Sequence, residues 1–324
     1  MPGNLPAARV SQPNMDTSFV TDASLPAWMH AHGCGCGLHR RRRLSLGLLG
    51  LGAAGAWPAW AKEGVDVGKS SGFAKLVPAQ QVEQAAAQQF VQMQNQARAK
   101  NALAPDSHPQ LVRLRFIAKR LVPFTPPWNS RATHWKWEVI LIGSPQINAF
   151  CMPGGKIAFF WGILQRLQLD DDEVAMIMGH EMAHALREHA RERMGKSFAT
   201  RGALELGSAL LGLGNTGRMV AGMGEQMLSL VFSRDDESEA DLVGMELAAR
   251  AGYNPAAGIT LWQKMGAVSK GAPPEFLSTH PSGPTRIKDI EANLPKVEGL
   301  YERAQRPERR FEPPPALGAA DAKR

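Results

Sequence analysis

The sequence predicts a predominantly helical α+β fold, and three observations carry that prediction. Most of the chain after residue 78 is rich in helix formers, with apolar residues three or four positions apart. Three short segments between residues 135 and 160 are instead rich in β-branched and aromatic residues, which favour strands. A His-Glu-x-x-His pattern occupies residues 180–184, inside one of the helical segments. Helices should therefore dominate, with a small sheet among them.

The first folded elements are two helices followed by three strands. Residues 79–100 consist largely of strong helix formers, and residues 109–121 place their leucines on one face. The strands are predicted at 135–142, 148–151 and 156–160, with a Pro-Gly-Gly turn before the third.

Helices follow the strands. A long helix should begin near the acidic cluster at Asp170 and run to about Met194, because carboxylates stabilise a helix N-terminus. The apolar, Gly-rich residues 202–232 are interpreted as a helical pair or mobile flap packed on the core rather than a membrane hairpin. Further helices are predicted after Ser233, from Asn254-Pro255, and from Pro284 to Ala304.

Composition divides the chain into three parts. Residues 39–61 run from charged through apolar to small residues, the order of a secretory signal, so residues 1–61 are predicted to be a leader cleaved after Ala61. The paired arginines suggest twin-arginine export to the periplasm. The alternative is an uncleaved anchor in the inner membrane that faces the periplasm. Residues 62–304 should form the folded domain, and the Pro-rich residues 305–324 a disordered tail.

Charge and cysteine content exclude two classes of protein. Residues 1–61 carry five Arg and two Asp, which accounts for +3 of the formal net charge of +7. The remaining basic residues are scattered and form no stripe interleaved with aromatics, so nucleic acid is not an expected partner. Cys151 is the single cysteine after the leader, which excludes a disulfide within the mature chain.

The central motif is His180-Glu181-Met182-Ala183-His184. Two His four residues apart lie on one face of a helix, so both imidazoles reach the same ion. Neutral imidazole suits zinc, and a Glu beside the first His is placed to take a proton from metal-bound water. The motif therefore predicts one Zn²⁺ per chain, with Glu181 as the general base.

A third protein ligand is needed, and downstream carboxylates compete for that role. Glu237 is the best placed, because Glu237 and Asp241 are four residues apart and share a helix face, while Glu239 points elsewhere. One carboxylate can bind zinc while the other hydrogen-bonds a ligand His. Asp235, Asp236 and Glu239 are interpreted as a solvated acidic turn. The spacing of His189 carries it off the ligand face of the helix, so it is predicted to be an exposed or capping residue.

Together these residues resemble the M48 peptidases, the zinc enzymes that include the membrane-bound prenyl-protein endopeptidases and the HtpX-type proteases, and in particular their soluble periplasmic branch. The resemblance covers roughly residues 124–304. Its pieces are Asn148-Ala149-Phe150 with Pro153-Gly154-Gly155, the His180–His184 motif, Ser233-Arg234 with Glu237–Asp241, Ala251-Gly252-Tyr253, and Ser278–Pro281 with Arg286-Ile287. It implies a zincin fold of the gluzincin type, with a small sheet beside the active-site helix.

The resemblance also implies roles for residues outside the motif. His280 resembles the active-site His of the family, close to the metal and able to stabilise an oxyanion. The segment Asn148, Ala149, Phe150 and Cys151 resembles the edge strand that pairs with an extended substrate. Arg286 is expected to support the metal ligands from outside, together with Asp241, and to fix the loop of His280 rather than to touch substrate.

Three functions are compatible with these expectations. The first is an endopeptidase that acts on unfolded or misassembled proteins of the cell envelope, with peripheral membrane association as a further contact. The second is a chaperone-like assembly factor in which His280 occupies the fourth zinc position and keeps the site latched. The third is a membrane-embedded protease that uses residues 202–232 as a hairpin.

Overall fold

The computed structural model describes residues 63–200, 231–268, 274–280 and 285–316, and it confirms the predominantly helical α+β fold. The predicted leader at 1–61 and most of the predicted flap at 202–232 lie outside these ranges. The strands are β1 (Glu138–Ile142), β2 (Ala149–Met152) and β3 (Lys156–Phe160). The helices are α1 (Ala79–Ala99), α2 (Pro109–Leu121), α3 (Trp161–Leu167), α4 (Asp171–Leu186), α5 (His189–Thr200), α6 (Arg234–Arg250), α7 (Ala257–Val268), α8 (Glu275–Thr279) and α9 (Thr285–Arg303). Within the described ranges, every helix is too short or too polar to cross a membrane.

The three strands form one sheet in the order β1-β3-β2. β3 pairs in parallel with β1 and antiparallel with β2, opposing Phe150 to Ala158. Gly154 and Gly155, at φ +83° and +76°, make the tight turn between β2 and β3, a backbone conformation that glycine adopts without strain. β2 therefore lies at an edge of the sheet and keeps one row of backbone groups free of strand partners within the described chain.

Alternate residues of the sheet face two apolar cores. Leu141 and Phe159 point into the larger core, which α2, α4, α6 and α7 also fill. Ile140 and Ala158 point to the opposite face, where α1 packs through residues such as Phe90. Burial on both faces explains why β1 and β3 are almost wholly apolar.

Helix α4 lies at the centre of the larger core. Asp170 and Glu173 form a reciprocal capping box at its start, and every residue from Glu173 to Leu186 is buried. Helices α4 and α6 cross at two glycines, Gly179 of α4 and Gly244 of α6. A Cβ on Gly179 would lie 2.8 Å from the carbonyl oxygen of Gly244. The two backbones are therefore in direct contact beside His180.

The helix predicted from Asp170 to Met194 is wrong in one respect, because it is broken into α4 and α5. Glu188, between the two, adopts φ +64°, a left-handed conformation that interrupts a helix. Its carboxylate pairs with Arg131 from a preceding 3-10 segment and with Arg191 of α5. These ion pairs hold the break in place.

Smaller differences concern element ends. β1 begins at Glu138 rather than at residue 135. α7 begins at Ala257 rather than at Asn254, because the Asn254 side chain accepts a hydrogen bond from Ala256 N at 3.0 Å and closes a turn ahead of the helix.

Residues 304–316, here called the C-terminal strap, follow α9 without regular secondary structure and contact the rest of the domain, whereas the sequence predicts disorder from residue 305. Phe311 N donates to Asp171 at 2.9 Å, and Arg310 pairs with Asp172 at 2.8 Å, so the strap engages the first turn of α4. Its other end accepts a hydrogen bond from Gln168 at the Pro314 carbonyl. The Pro-rich composition of the segment does not indicate these long-range contacts, and the boundary of the folded domain stays a prediction. Residues 317–324 of the predicted tail lie outside the described part of the chain.

Candidate metal centre

Helix α4 presents both imidazoles of its motif to one point. His180 and His184 are buried, and their Nε2 atoms lie 3.1 Å apart. Their spacing of four residues places them one turn apart on the same face. Glu181 is also buried, and its Oε1 has no hydrogen-bond partner among the described residues.

Helix α6 brings Glu237 to the same point. Its carboxylate is 1% exposed and approaches the Nε2 atoms of His180 and His184 at 3.5 Å each. Ser233 and Asp236 form a reciprocal capping box that fixes the first turn of α6. Asp236 is therefore a buried capping residue, and the prediction that it is solvated is wrong.

His280 completes the cluster from the end of the short helix α8. Its Nδ1 lies 3.0 Å from Glu237 Oε1 and 3.3 Å from His180 Nε2. Its ring stacks on Phe276, with centroids 4.5 Å apart. One donor atom from each of His180, His184, Glu237 and His280 falls within 4.8 Å of the others, so the four side chains can hold one metal ion.

The chemistry of these donors fits zinc. Two imidazoles and one carboxylate are a common donor set for catalytic zinc, which keeps a further position open. The carboxyl oxygen of Glu181 without a partner lies 3.5 Å from His280 Nε2, beside the cluster rather than in it. A buried polar atom without a hydrogen bond destabilises the fold unless a ligand or a water molecule bonds to it. The position of this oxygen therefore suits a site that binds a metal and a water molecule.

An outer layer fixes His180. Asp241 Oδ1 lies 2.9 Å from His180 Nδ1, the ring nitrogen that faces away from the cluster. Arg286 donates to both oxygens of Asp241 at 2.6 Å and to Glu237 at 2.7 Å. Its guanidinium also covers the Trp262 ring at 3.6 Å. Arg286, predicted together with Asp241 to support the ligands, thus contacts the two carboxylates, and its expected role in fixing the loop of His280 stays a prediction.

The charges of the cluster shift the pKa values of its members in opposite directions. Burial alone lowers the pKa of His180, but hydrogen bonds to Asp241 and Glu237 outweigh it and raise that pKa to about 9. Burial lowers the pKa of His184 well below its usual value. Burial opposes ionisation of Glu237, yet hydrogen bonds from His180 and His280 hold its pKa far below the ordinary range. Burial raises the pKa of Glu181.

A narrow cleft connects the cluster to the sheet edge. Its cavity volume is about 60 Å³, and the segment Asn148–Cys151 lines it together with Glu181 and His280. Phe232 closes the side next to His184, with ring centroids 4.0 Å apart. The structure thus brings the predicted substrate segment, general base and oxyanion residue to one cleft.

His189 and Glu239 belong to the surroundings of the site, which their sequence positions did not indicate. His189 is 1% exposed rather than exposed, and its Nδ1 lies 2.9 Å from His184 Nδ1. Glu239 pairs with Arg187 and approaches His189 Nε2 at 3.7 Å. The break between α4 and α5 turns His189 back toward His184, and a helical periodicity that assumes no break misses this contact.

Comparisons with known proteins agree with this architecture. A family model described as "Peptidase family M48" matches residues 113–294, more than half of the chain and a range that contains every predicted site residue. The "Mitochondrial metalloendopeptidase OMA1" of Arabidopsis thaliana is 40% identical over 161 residues, 49% of this chain and 32% of that protein. The protein of the same name in Schizosaccharomyces pombe is 35% identical over 199 residues, 60% of this chain and 56% of that protein.

A bacterial relative is also similar. The "Beta-barrel assembly-enhancing protease" of Escherichia coli K12 is 32% identical over 166 residues, which cover 47% of this chain and 33% of that protein. The matched segments therefore span between about a third and somewhat over half of the length of these three relatives.

Proposed function

The chain belongs to peptidase family M48, and from this membership we propose that it is a zinc-dependent endopeptidase that cleaves unfolded or misassembled proteins of the cell envelope. One observation carries the proposal: the donor atoms of His180, His184, Glu237 and His280 converge beside Glu181, in a cleft bordered by an edge strand. The residues that can hold a metal thus lie beside the cleft in which a peptide substrate would bind.

The buried side chains supply the proton transfers of peptide hydrolysis. Zinc, held by His180, His184 and Glu237, would polarise the scissile carbonyl and lower the pKa of a water to about 7. Glu181 takes a proton from the water while the water oxygen bonds to the carbonyl carbon. It then delivers that proton to the amide nitrogen of the substrate as the C–N bond breaks. Burial raises the pKa of Glu181, which makes its carboxylate a stronger base. His280 donates to the carbonyl oxygen as negative charge develops there.

The edge strand β2 favours an extended substrate. Its free backbone groups can pair with the main chain of a peptide, a mode of binding that depends little on side-chain sequence. The cleft has a volume of about 60 Å³, which is far too small for a folded domain. Both features support unfolded polypeptides as the substrate class.

Zinc content and proteolysis test the proposal together. The purified chain should contain about one zinc per molecule, as in catalytic zinc sites, and should cleave casein, an unfolded protein. Glu181→Gln keeps the size and hydrogen-bonding capacity of the side chain but removes the base, so zinc should remain while cleavage is lost. A parent chain without bound zinc, or a Glu181→Gln variant with full activity, would contradict the mechanism.

The proposed compartment is the periplasm, and its support lies in sequence. Residues 39–61 have the order of a secretory signal, and the name of the bacterial relative refers to β-barrel assembly. Fractionation of cells that express the full chain, with N-terminal sequencing of the product, tests this point. Periplasmic protein that begins at Lys62 is expected, whereas full-length protein in the membrane fraction would indicate the anchored alternative.

A second candidate function is a chaperone-like factor with a latched site. The observation that favours it is the position of His280, whose Nδ1 approaches Glu237 and His180 closely enough to make a fourth protein ligand. A fourth protein ligand closes the position that water and substrate need. Casein cleavage by His280→Ala separates the two functions, since a rise supports the latch and a loss supports the oxyanion role.

A further inference from the structure

The two imidazoles of α4 need the same tautomer if both bind a metal through Nε2. Their Nε2 atoms face each other across the site, so each ring must carry its proton on Nδ1. For His180 the acceptor of that proton is Asp241. His184 has no carboxylate in this position, and its Nδ1 instead faces the Nδ1 of His189 at 2.9 Å.

We propose that His189 is a positioning residue that holds His184 in its metal-binding tautomer by accepting the Nδ1–H hydrogen bond. The inference rests on the proposed zinc site, and it assigns a role to a side chain outside the donor cluster. Glu239 and Arg187 complete the chain of contacts beyond His189.

The proton count determines the direction of each contact. Two facing ring nitrogens share one hydrogen bond only when one is protonated and the other is not. The proton belongs to His184 Nδ1, because His184 Nε2 must be free to bind metal. His189 Nδ1 is then the acceptor, and His189 carries its own proton on Nε2.

The surroundings of His189 suit this tautomer. Its Nε2 is buried and finds no hydrogen-bond partner among the described residues, but Glu239 Oε2 lies 3.7 Å away. Arg187 holds the other oxygen of that carboxylate. A small rotation brings His189 Nε2–H and the Glu239 carboxylate into hydrogen-bond distance. The carboxylate can therefore accept the proton that this tautomer carries on Nε2.

The backbone is arranged to make the contact. In a continuous helix a residue five positions after His184 points about 140° away from it. The left-handed Glu188 ends that continuity, and its ion pairs with Arg131 and Arg191 keep the turn in place. The rings of His184 and His189 consequently meet edge to face, with centroids 5.0 Å apart.

Two variants of the full chain separate hydrogen bonding from packing. His189→Phe keeps an aromatic ring but has no acceptor, so His184 Nδ1–H is left without a partner. His189→Asn places a carbonyl oxygen near the position of Nδ1 and restores the acceptor. Zinc affinity, measured by competition with a chromophoric chelator, should fall about 10- to 100-fold in His189→Phe and stay within about threefold of the parent in His189→Asn.

Three results overturn the inference. One is a His189→Phe variant that binds zinc as tightly as the parent, and another is a His189→Asn variant as weak as His189→Phe. The third comes from ¹⁵N NMR of the zinc-loaded parent, which needs no variant to fold: protonation of His189 at Nδ1 contradicts the proposed direction. A parent that binds no zinc refutes the proposed function itself, and is distinguished from these results by the same titration.

Discussion

The two imidazoles of the metal centre are supported in different ways. His180 contacts the carboxylate of Asp241, and Arg286 anchors that carboxylate with hydrogen bonds to both oxygens. All three side chains are almost fully buried. His184 contacts the imidazole of His189, and the nearest carboxylate beyond it, Glu239, is one step further out and 22% exposed.

This difference shifts the pKa values of the two imidazoles in opposite directions. A carboxylate in contact stabilises the imidazolium, and the pKa of His180 rises to about 9 despite burial. Without such a contact, burial dominates and the pKa of His184 falls well below its usual value. The pKa values of the two imidazoles of one motif therefore shift in opposite directions, because α6 and α5 offer them different partners.

The largest expected effect comes from removing the cation on the His180 side. Arg286→Met leaves Asp241 and Glu237 buried without their shared partner and should destabilise the metal-free protein by about 3–5 kcal/mol. The matched change on the His184 side is Arg187→Met. It removes an ion pair with the partly exposed carboxylate of Glu239 and should lower the free energy of unfolding by about 1 kcal/mol. Urea denaturation measures both, and equal losses would refute the proposed asymmetry.

A change at the helix crossing should affect both sides together. A Cβ on Gly244 would lie 2.6 Å from His180 N, so Gly244→Ala pushes α6 from α4 and should destabilise the fold by about 1–3 kcal/mol. Gly266, in α7, has no atom within 4 Å of an added Cβ. Gly266→Ala is therefore the control and should be neutral or stabilising by up to about 1 kcal/mol. Thermal unfolding distinguishes the two, and similar shifts would argue against a tight crossing.

Neutralising one carboxylate on each side compares their influence on the metal. Asp241→Asn weakens the direct hydrogen bond to His180 and should lower zinc affinity about 10- to 100-fold. Glu239→Gln acts through His189 and should lower it by less than about tenfold. Chelator competition measures both constants. A larger effect of Glu239→Gln would reverse the order of the two supports.

A further test of the comparison is the pH dependence of metal binding. His180 is protonated below a pKa of about 9, and zinc must displace that proton. Affinity should therefore rise with pH, by up to about tenfold per unit from pH 7, and level off above pH 9. Calorimetry in two buffers of different ionisation enthalpy measures the released proton. A flat profile in the parent would contradict the raised pKa of His180.

Local periodicity was sufficient for most elements and for part of the site. The bounds of α1 and α2 agree within a residue with the prediction, since strong helix formers and flanking prolines mark them. The structure brings Glu237 to the two His and Asp241 to His180, as their shared helix face suggests. Their roles as ligand and supporting residue stay predictions that zinc titrations test.

The features that sequence did not predict depend on contacts between distant residues. Glu188 adopts a left-handed conformation without being Gly or Asn, and Arg131, 57 positions earlier, contributes to holding it there. No local pattern marks such a break, so His189 was placed on the wrong side of a helix assumed to be continuous. The C-terminal strap is a similar case, because a Pro-rich composition contains no information about Asp171 and Asp172 as partners.

The position of the C-terminal strap in the chain determines when, during synthesis, the first turn of α4 can make all of its contacts. A chain is synthesised from its N-terminus, and α4 emerges long before residues 304–316. Asp171 and Asp172, at the start of the helix that carries the metal motif, receive Phe311 and Arg310 only when nearly the whole chain is present. The first turn of α4 therefore gains these two contacts only after Arg310 and Phe311 have been synthesised.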